Sequence, residues 1–394
     1  MISNYIRDNI SKSSWIRAMF EEGGKLRAKY GDENVFDFSL GNPDYEPPEA
    51  VKNNLLRILT DGSTANHRYM NNAGFPETRE KIAVMLSKET GMAFLAHDVI
   101  MTSGAAGGLN VVLKTILNPD DEVVVISPFF VEYLFYIQNH GGNPVIVPSC
   151  HETFEPDLTA LAAAVTARCK AVIINSPNNP SGVVYSKEIL AGMGKVLSDA
   201  EKRYGTKILV ISDEPYNKII YDGVKVPNVF SFFKHSVVVN SFSKSLAVPG
   251  ERIGYIALNP EMEGKATFLE GLVFANRTLG YVNAPALFQK VVADSLYEQF
   301  NTDEFEAKRD YLYSHLTALG FSCIKPQGAF YLFPKSLIAD DIAFTQHALK
   351  YNLLLVPGSG FGCPGYFRLA YCVDMEVIKK SMGAFELLAK DFLK

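Results

Sequence analysis

The stretch HSVVVNSFSKSLAVPGERIGYIAL, residues 235–258, holds two apolar runs joined by a polar turn. Val237-Val238-Val239 is continuously apolar rather than alternating, the pattern of a strand buried on both faces. The strand stops at SFSK, where the first long side chain is Lys244, set among Ser241, Ser243 and Ser245. Eight residues on, after Pro249 and Gly250, stands Arg252. Two cations at the mouth of a buried strand call for a chemical reason, because buried charge is costly unless paired.

The same texture recurs along the chain. DVIMTSG (98–104), DEVVVISP (121–128), NPVIVPS (143–149), KAVIINSP (170–177), KILVISDEP (207–215), HSVVVNSFSK (235–244) and ERIGYIAL (251–258) all read as short buried strands. Between them, DLTALAAAVTAR (157–168) and SKEILAGMGKVLSDAEKRYG (186–205) carry helical spacing, with Ser186 as an N-cap. Strand and helix alternate, so the fold class is α/β, with a mostly parallel seven-stranded sheet flanked by helices. Past about residue 290 the pattern changes. The amphipathic stretch EFEAKRDYLYSHLTALG (304–320) leads to strands expected in FSCIKPQGAFYLF (321–333), NLLLVPG (352–358) and YFRLAYCV (366–373), closed by a helix in 374–394. The expected division is a large α/β domain over 51–290 and a smaller α+β domain built from 1–50 and 291–394.

Composition narrows the function. The 394 residues fit a two-domain enzyme, with 47% apolar and 21% charged residues. Net charge is −5 without a basic block, which argues against a nucleic-acid partner. The five cysteines (Cys150, Cys169, Cys323, Cys363, Cys372) are scattered and odd in number, with no CxxC. That spacing fits a reducing cytoplasm better than disulfides or a bound metal. The N-terminal stretch has no continuous apolar core, and 123–137 is broken by Pro128 and Glu132, so neither a signal peptide nor a membrane span is expected.

Ligands of open α/β sheets bind beyond the carboxyl ends of the strands. There the runs deliver Gly104, Ala105 and Ala106 opening a helix, then Phe130 with Tyr133, Asn179, Asp213 with Tyr216, and finally Ser241, Ser243 and Lys244. The uncluttered turn SGAAGG lets backbone N–H groups approach an anion at a helix N-terminus. Ser241, Ser243 and Arg252 can add hydroxyls and a charged fork to the same anion. Asp213 suits a protonated pyridine nitrogen, Asn179 and Tyr216 a phenolic oxygen, and Phe130 the face of a ring. Lys244, desolvated beside Arg252, favours its neutral amine, which forms a Schiff base with an aldehyde. Phosphate, pyridinium, phenolate, ring and aldehyde together describe pyridoxal 5′-phosphate.

With these motifs the chain resembles the class I aminotransferases of the fold-type I pyridoxal-phosphate enzymes, the family of aspartate, alanine and aromatic aminotransferases. SFSKSLAVPGERIGY is similar to the family's lysine signature, SPNNPSG (176–182) to its Asn-Pro-[Thr/Ser]-Gly motif, and DEPY (213–216) to its Asp-x-x-Tyr motif. The resemblance implies Lys244 as the cofactor-bonded lysine and catalytic base. It implies Ser241, Ser243 and Arg252 on the phosphate, Asn179 and Tyr216 on the phenolic oxygen, and Asp213 on the ring nitrogen. RYMNNAGFPETREKIA (68–83) resembles the segment through which the partner subunit's Tyr69 reaches the phosphate, hence a homodimer with sites at its interface. SLGNPDYEPP (39–48) places Gly41 near the substrate, and VPGSGFGCPGYFRLAY (356–371) implies that Arg368 grips the substrate α-carboxylate. Arg68 and Asn283 are weaker substrate candidates. The implied activity is amino transfer between an L-amino acid and a 2-oxo acid in the cytoplasm. The alternative is a carbon–sulfur β-lyase of the same fold, which would share every cofactor residue. A nucleotide-binding dehydrogenase would need GxGxxG after the first strand, which SGAAGGL does not supply. A transcription regulator with this domain would need a helix-turn-helix segment, for which about 50 N-terminal residues without basic excess leave little room.

Overall fold

The computed structural model describes residues 1–10, 15–42, 45–62, 66–298 and 301–393. All seven expected runs form strands of one sheet: β1 (Val99–Thr102), β2 (Glu122–Ile126), β3 (Asn143–Val147), β4 (Cys169–Asn175), β5 (Leu209–Asp213), β6 (Ser236–Ser241) and β7 (Gly254–Leu258). Their spatial order is β1-β7-β6-β5-β4-β2-β3, and only β7 runs against its neighbours. The continuous apolar runs have a direct physical outcome. Val123 and Val125 of β2 pack with Leu109, Val112 and Ile137 on one side. Val124 and Ile126 pack with Leu161, Met193 and Leu197 on the other. Successive side chains point to opposite faces, so a sheet covered on both sides needs an apolar residue at every position.

The helices begin and end where the sequence supplies caps. The helix Lys187–Tyr204 starts at Ser186, whose Oγ accepts the Ile189 N–H at 3.3 Å. It ends at Gly205, in the left-handed region at φ 66° that glycine tolerates without a Cβ clash. The helix Gly104–Ile116 follows β1 directly and points its N-terminus over the strand ends.

A second core gathers Phe38, Phe305, Leu312, Phe321, Phe330, Phe344, Phe367 and Phe385. The N-terminal segment enters it by parallel pairing of Phe36 with Leu353 and Asp37 with Leu354. The helices expected near 304–320 and 374–394 appear as Asp303–Ala318 and Met375–Phe392. The strand expected across 321–333 shrinks to Tyr331–Leu332, and NLLLVPG splits into Leu353–Leu354 and Val356–Pro357. The reason lies in hydrogen bonding: the Gln327 and Gly328 N–H groups both donate to the Gly182 carbonyl at 2.9 Å instead of joining a ladder. Ala329 then turns with φ 58°. Among the described residues no helix is long and apolar enough to cross a membrane.

Gly254 opens β7 with no room for a side chain. A Cβ there would lie 2.4 Å from the Asn240 carbonyl oxygen and 2.9 Å from the Gly104 carbonyl carbon, both backbone atoms that do not yield cheaply. Gly254→Ala is expected to destabilise the protein by about 1–3 kcal/mol, the usual range for overpacking, read from the midpoint of chemical denaturation.

Candidate active site

Asp213 is the last residue of β5, 6% exposed. Its Oδ2 accepts the Tyr133 hydroxyl at 2.5 Å, while its Oδ1 is buried without a partner. Burial pushes the carboxyl up to about 6, against the opposing pull of the Tyr133 hydrogen bond. Asn175, at the end of neighbouring β4, fixes the strand ends. Its Nδ2 donates to the Asp213 carbonyl at 2.8 Å, and its Oδ1 accepts the Asn179 N–H at 2.7 Å.

Lys244 lies in the short helix Phe242–Ser245 directly after β6. Its Nζ donates to the Gly41 carbonyl at 2.7 Å, and its own carbonyl accepts the Tyr45 hydroxyl at 2.7 Å. Burial brings the ammonium down to about 8, helped by the nearby guanidiniums of Arg368 and Arg252. The neutral amine is therefore accessible near physiological pH, as a nucleophile or base requires.

Asp213 and Lys244 face one cleft with about 260 Å³ of interior space. Ala105, Ala106, Phe130, Asn179, Tyr216, Ser241, Ser243, Arg252, Gly41 and Arg368 also line it. Gly104 sits just behind: at φ 67° it turns β1 into its helix, and a Cβ there would lie 3.2 Å from an Arg252 guanidinium nitrogen. That end of the cleft combines a helix N-terminus, two serine hydroxyls and an arginine, a donor set for a phosphate.

At the other end, Arg368 is 2% exposed, on the strand Phe367–Ala370. Its guanidinium donates to Asn179 Oδ1 at 3.1 Å and to the Ser39 carbonyl at 2.5 Å, while its Nε has no partner. The ring centroids of Tyr331 and Phe361 lie 4.7 and 4.8 Å from it. A buried guanidinium held by a carbonyl and an amide keeps a full charge without an anion, which suits capture of a carboxylate.

The cleft thus contains twelve of the predicted residues, and Gly104 adjoins it. Tyr69 is 90% exposed and lies outside the cleft of its own chain. Arg68 is exposed as well. Asn283 lies outside the cleft; its Nδ2 donates to the Asn71 carbonyl at 3.0 Å and its Oδ1 is buried without a partner. Pro43 and Asp44 of the loop around Gly41 are outside the described residues. Two residues with clear work in the cleft carried no usable signal in the sequence. Asn175 ends a buried strand, and Tyr331 stands inside a segment of apolar texture.

An aromatic ring carrying a protonated nitrogen, a phenolic oxygen and a phosphate arm fits these groups. Asp213 Oδ1 awaits a donor, the phosphate donors lie at one end, and Phe130 supplies a flat face.

The sequence profile of the family described as aminotransferase class I and II matches residues 33–385. The chain is similar to a probable aspartate/prephenate aminotransferase of Aquifex aeolicus, 36% identical over 89% of this chain and 90% of the relative. It is 32% identical to the aspartate/prephenate aminotransferase of Thermus thermophilus over 88% and 89% of the two chains. Among solved structures it superposes on an amino transferase of Eubacterium rectale with a TM-score of 0.97, at 41% identity and full coverage of both chains. The Thermus thermophilus aspartate aminotransferase with maleate gives a TM-score of 0.86 at 28% identity, over 98% of this chain and 100% of that one.

The raised Asp213 acidity has a sign that can be checked in protein stripped of small molecules. Folding disfavours the ionised carboxylate, so this group's penalty is absent below about pH 4 and grows as pH rises through about 6. Asp213→Asn removes a penalty on the order of 1–3 kcal/mol at pH 7. The variant is expected to melt above wild type at pH 7 and level with it at pH 4.

Proposed function

The chain belongs to the class I and II aminotransferases, and from that premise we propose that it moves the amino group of an L-amino acid to a 2-oxo acid with pyridoxal 5′-phosphate held in this cleft. The observation that carries the reading is the pairing of two groups in one cleft: a buried carboxylate with a free oxygen on Asp213 and a lysine of lowered basicity at Lys244. Asp213 would hold the ring nitrogen, Asn179 and Tyr216 the phenolic oxygen, and Phe130 the ring face. The N–H groups of Gly104, Ala105 and Ala106 would hold the phosphate, with Ser241, Ser243 and Arg252.

The bound cofactor supplies an aldehyde for an amine to join and a ring that withdraws electrons from the substrate α-carbon. The protein's share is positional and electrostatic. Lys244 would hold the cofactor through Nζ and, as a neutral amine, would be placed to take a proton from the substrate α-carbon. Its depressed basicity keeps a useful fraction of neutral amine. Asp213 stays ionised opposite a cationic ring nitrogen, because that partner removes the cost of its burial. Arg368 orients the substrate through its α-carboxylate. Gly41 lacks a side chain where Tyr331 comes close: a Cβ there would lie 2.0 Å from the Tyr331 hydroxyl.

Tyr69, wholly outside its own chain's cleft, supports a homodimer in which the partner subunit's Tyr69 reaches the phosphate. The cytoplasm suits a chain whose five cysteines are all free thiols. Relatives named for aspartate and prephenate make aspartate the natural first amino donor and prephenate the natural first 2-oxo acid acceptor to test.

Borohydride treatment of protein loaded with cofactor, followed by digestion and mass analysis, is expected to place the added mass on Lys244. Lys244→Ala should abolish turnover of every donor while still binding cofactor through its phosphate; measurable amino transfer by this variant would end the assignment. Arg368→Lys loses the planar fork, and kcat/KM for amino donors is expected to fall roughly a hundredfold. Tyr69→Phe should raise the cofactor dissociation constant without changing the unfolding midpoint of the stripped protein.

A further inference from the structure

Tyr331 is a large polar side chain lining the cleft beside Arg368. It is 2% exposed and lies in the strand Tyr331–Leu332, with Ala370 of the Arg368 strand directly opposite. Arg368 is two residues before Ala370, so it and Tyr331 are diagonal neighbours on one sheet face. That register puts the Arg368 guanidinium 4.7 Å from the ring centroid. At the other end of the side chain, the Tyr331 and Tyr216 hydroxyl oxygens are 2.8 Å apart.

Two phenols joined by one hydrogen bond hold two protons, and only one can lie between the oxygens. Burial pushes Tyr331 up to about 12 and Tyr216 well above its ordinary value, so both protons are present at neutral pH. The charges around the pair are unequal. Arg368 draws on both hydroxyls and is the foremost charge acting on Tyr331, while at Tyr216 Asp213 opposes part of its pull. Cys372 also faces Tyr331, and Lys244 approaches from Gly41, whose carbonyl its Nζ contacts at 2.7 Å. Either oxygen can donate in this pair; the more acidic phenol is the better donor, which assigns donation to Tyr331 and acceptance to Tyr216. The Tyr216 proton is then free to point into the cleft.

We propose that Tyr331 is a positioning residue with two separable duties: its hydroxyl donates to Tyr216 and thereby aims the Tyr216 proton at the phenolic oxygen of the bound cofactor, and its ring face seats Arg368 for the substrate carboxylate. This rests on the cofactor reading above. A hydrogen bond received by Tyr216 strengthens the one it gives, because chained hydrogen bonds polarise one another. Donation to the phenolic oxygen stabilises the proton-poor form of the cofactor–lysine adduct. It therefore lowers the pH at which the adduct's absorbance titrates.

The test is the absorbance of the loaded protein followed from pH 5 to pH 10, beside amino-donor kinetics. Tyr331→Phe keeps the ring and removes the hydroxyl. The titration midpoint is expected to rise by roughly half a unit, the equivalent of one modest hydrogen bond, with KM for the amino donor unchanged. Tyr331→Leu removes the ring as well, and KM is expected to rise about tenfold as Arg368 loses its cation–π seat. In a Tyr216→Phe background, Tyr331→Phe should leave the midpoint where Tyr216→Phe alone puts it, because the relay has lost its second member. A wild-type midpoint in Tyr331→Phe, or an equal shift in both backgrounds, overturns the hydroxyl duty. An unchanged KM in Tyr331→Leu overturns the ring duty. If the wild type itself takes up no cofactor, the underlying reading falls and this proposal with it. Unfolding midpoints of the stripped variants, expected to stay near wild type for Tyr331→Phe, separate these effects from misfolding.

Discussion

A carboxylate stands at the end of a strand buried on both faces, with one oxygen on Tyr133 and the other facing an open cleft. Such a group is unfavourable unless a cation or strong donor arrives, because burial withdraws the water that would stabilise its charge. Among the described residues no lysine or arginine hydrogen-bonds Asp213. Its two nearest fixed partners, Tyr133 on the side chain and Asn175 on the backbone, hold the carboxylate in place without neutralising it. A cationic ring edge, as proposed for the cofactor, would complete the site and remove the cost of burying the carboxylate.

The cations follow the same logic at a distance. Lys244, Arg252 and Arg368 converge on one cleft, each held by backbone carbonyls: Gly41, Pro249 and Ser39 respectively. Carbonyl acceptors fix the position of a cation without cancelling its charge. Mutual repulsion and burial then lower the basicity of Lys244, the member of the set best able to lose a proton. Chemistry at this lysine is a consequence of the company it keeps.

The two apolar cores meet at this cleft. Asp213 ends the central sheet, while Tyr216, three residues on, packs in the second core with Phe330 and Tyr331. Arg368 rises from the strand of that second core and reaches Asn179 of the loop after β4. The residues proposed for the cofactor and for the substrate therefore sit on different cores, linked by the hydrogen bonds of Tyr216 with Tyr331 and of Arg368 with Asn179.

The seven strands of the large sheet were legible because double-sided burial writes itself as an unbroken apolar run, and each cleft residue at a strand end could be counted from where its run stopped. Lys244, Asp213 and Asn179 were found that way. The short strands of the second core were not legible in full. Residues 321–330 carry strand-like composition, but the Gln327 and Gly328 N–H groups go to the Gly182 carbonyl and that of Ala329 to Ile219, choices made more than a hundred residues away. The same holds for Tyr331 and for the Gly41 and Ser39 carbonyls that hold Lys244 and Arg368. Local pattern fixes which residues are buried and where elements end. Which buried tyrosine receives a guanidinium on its face, and which carbonyl accepts a lysine, depends on contacts between distant segments, and those exist only once both cores have packed against each other.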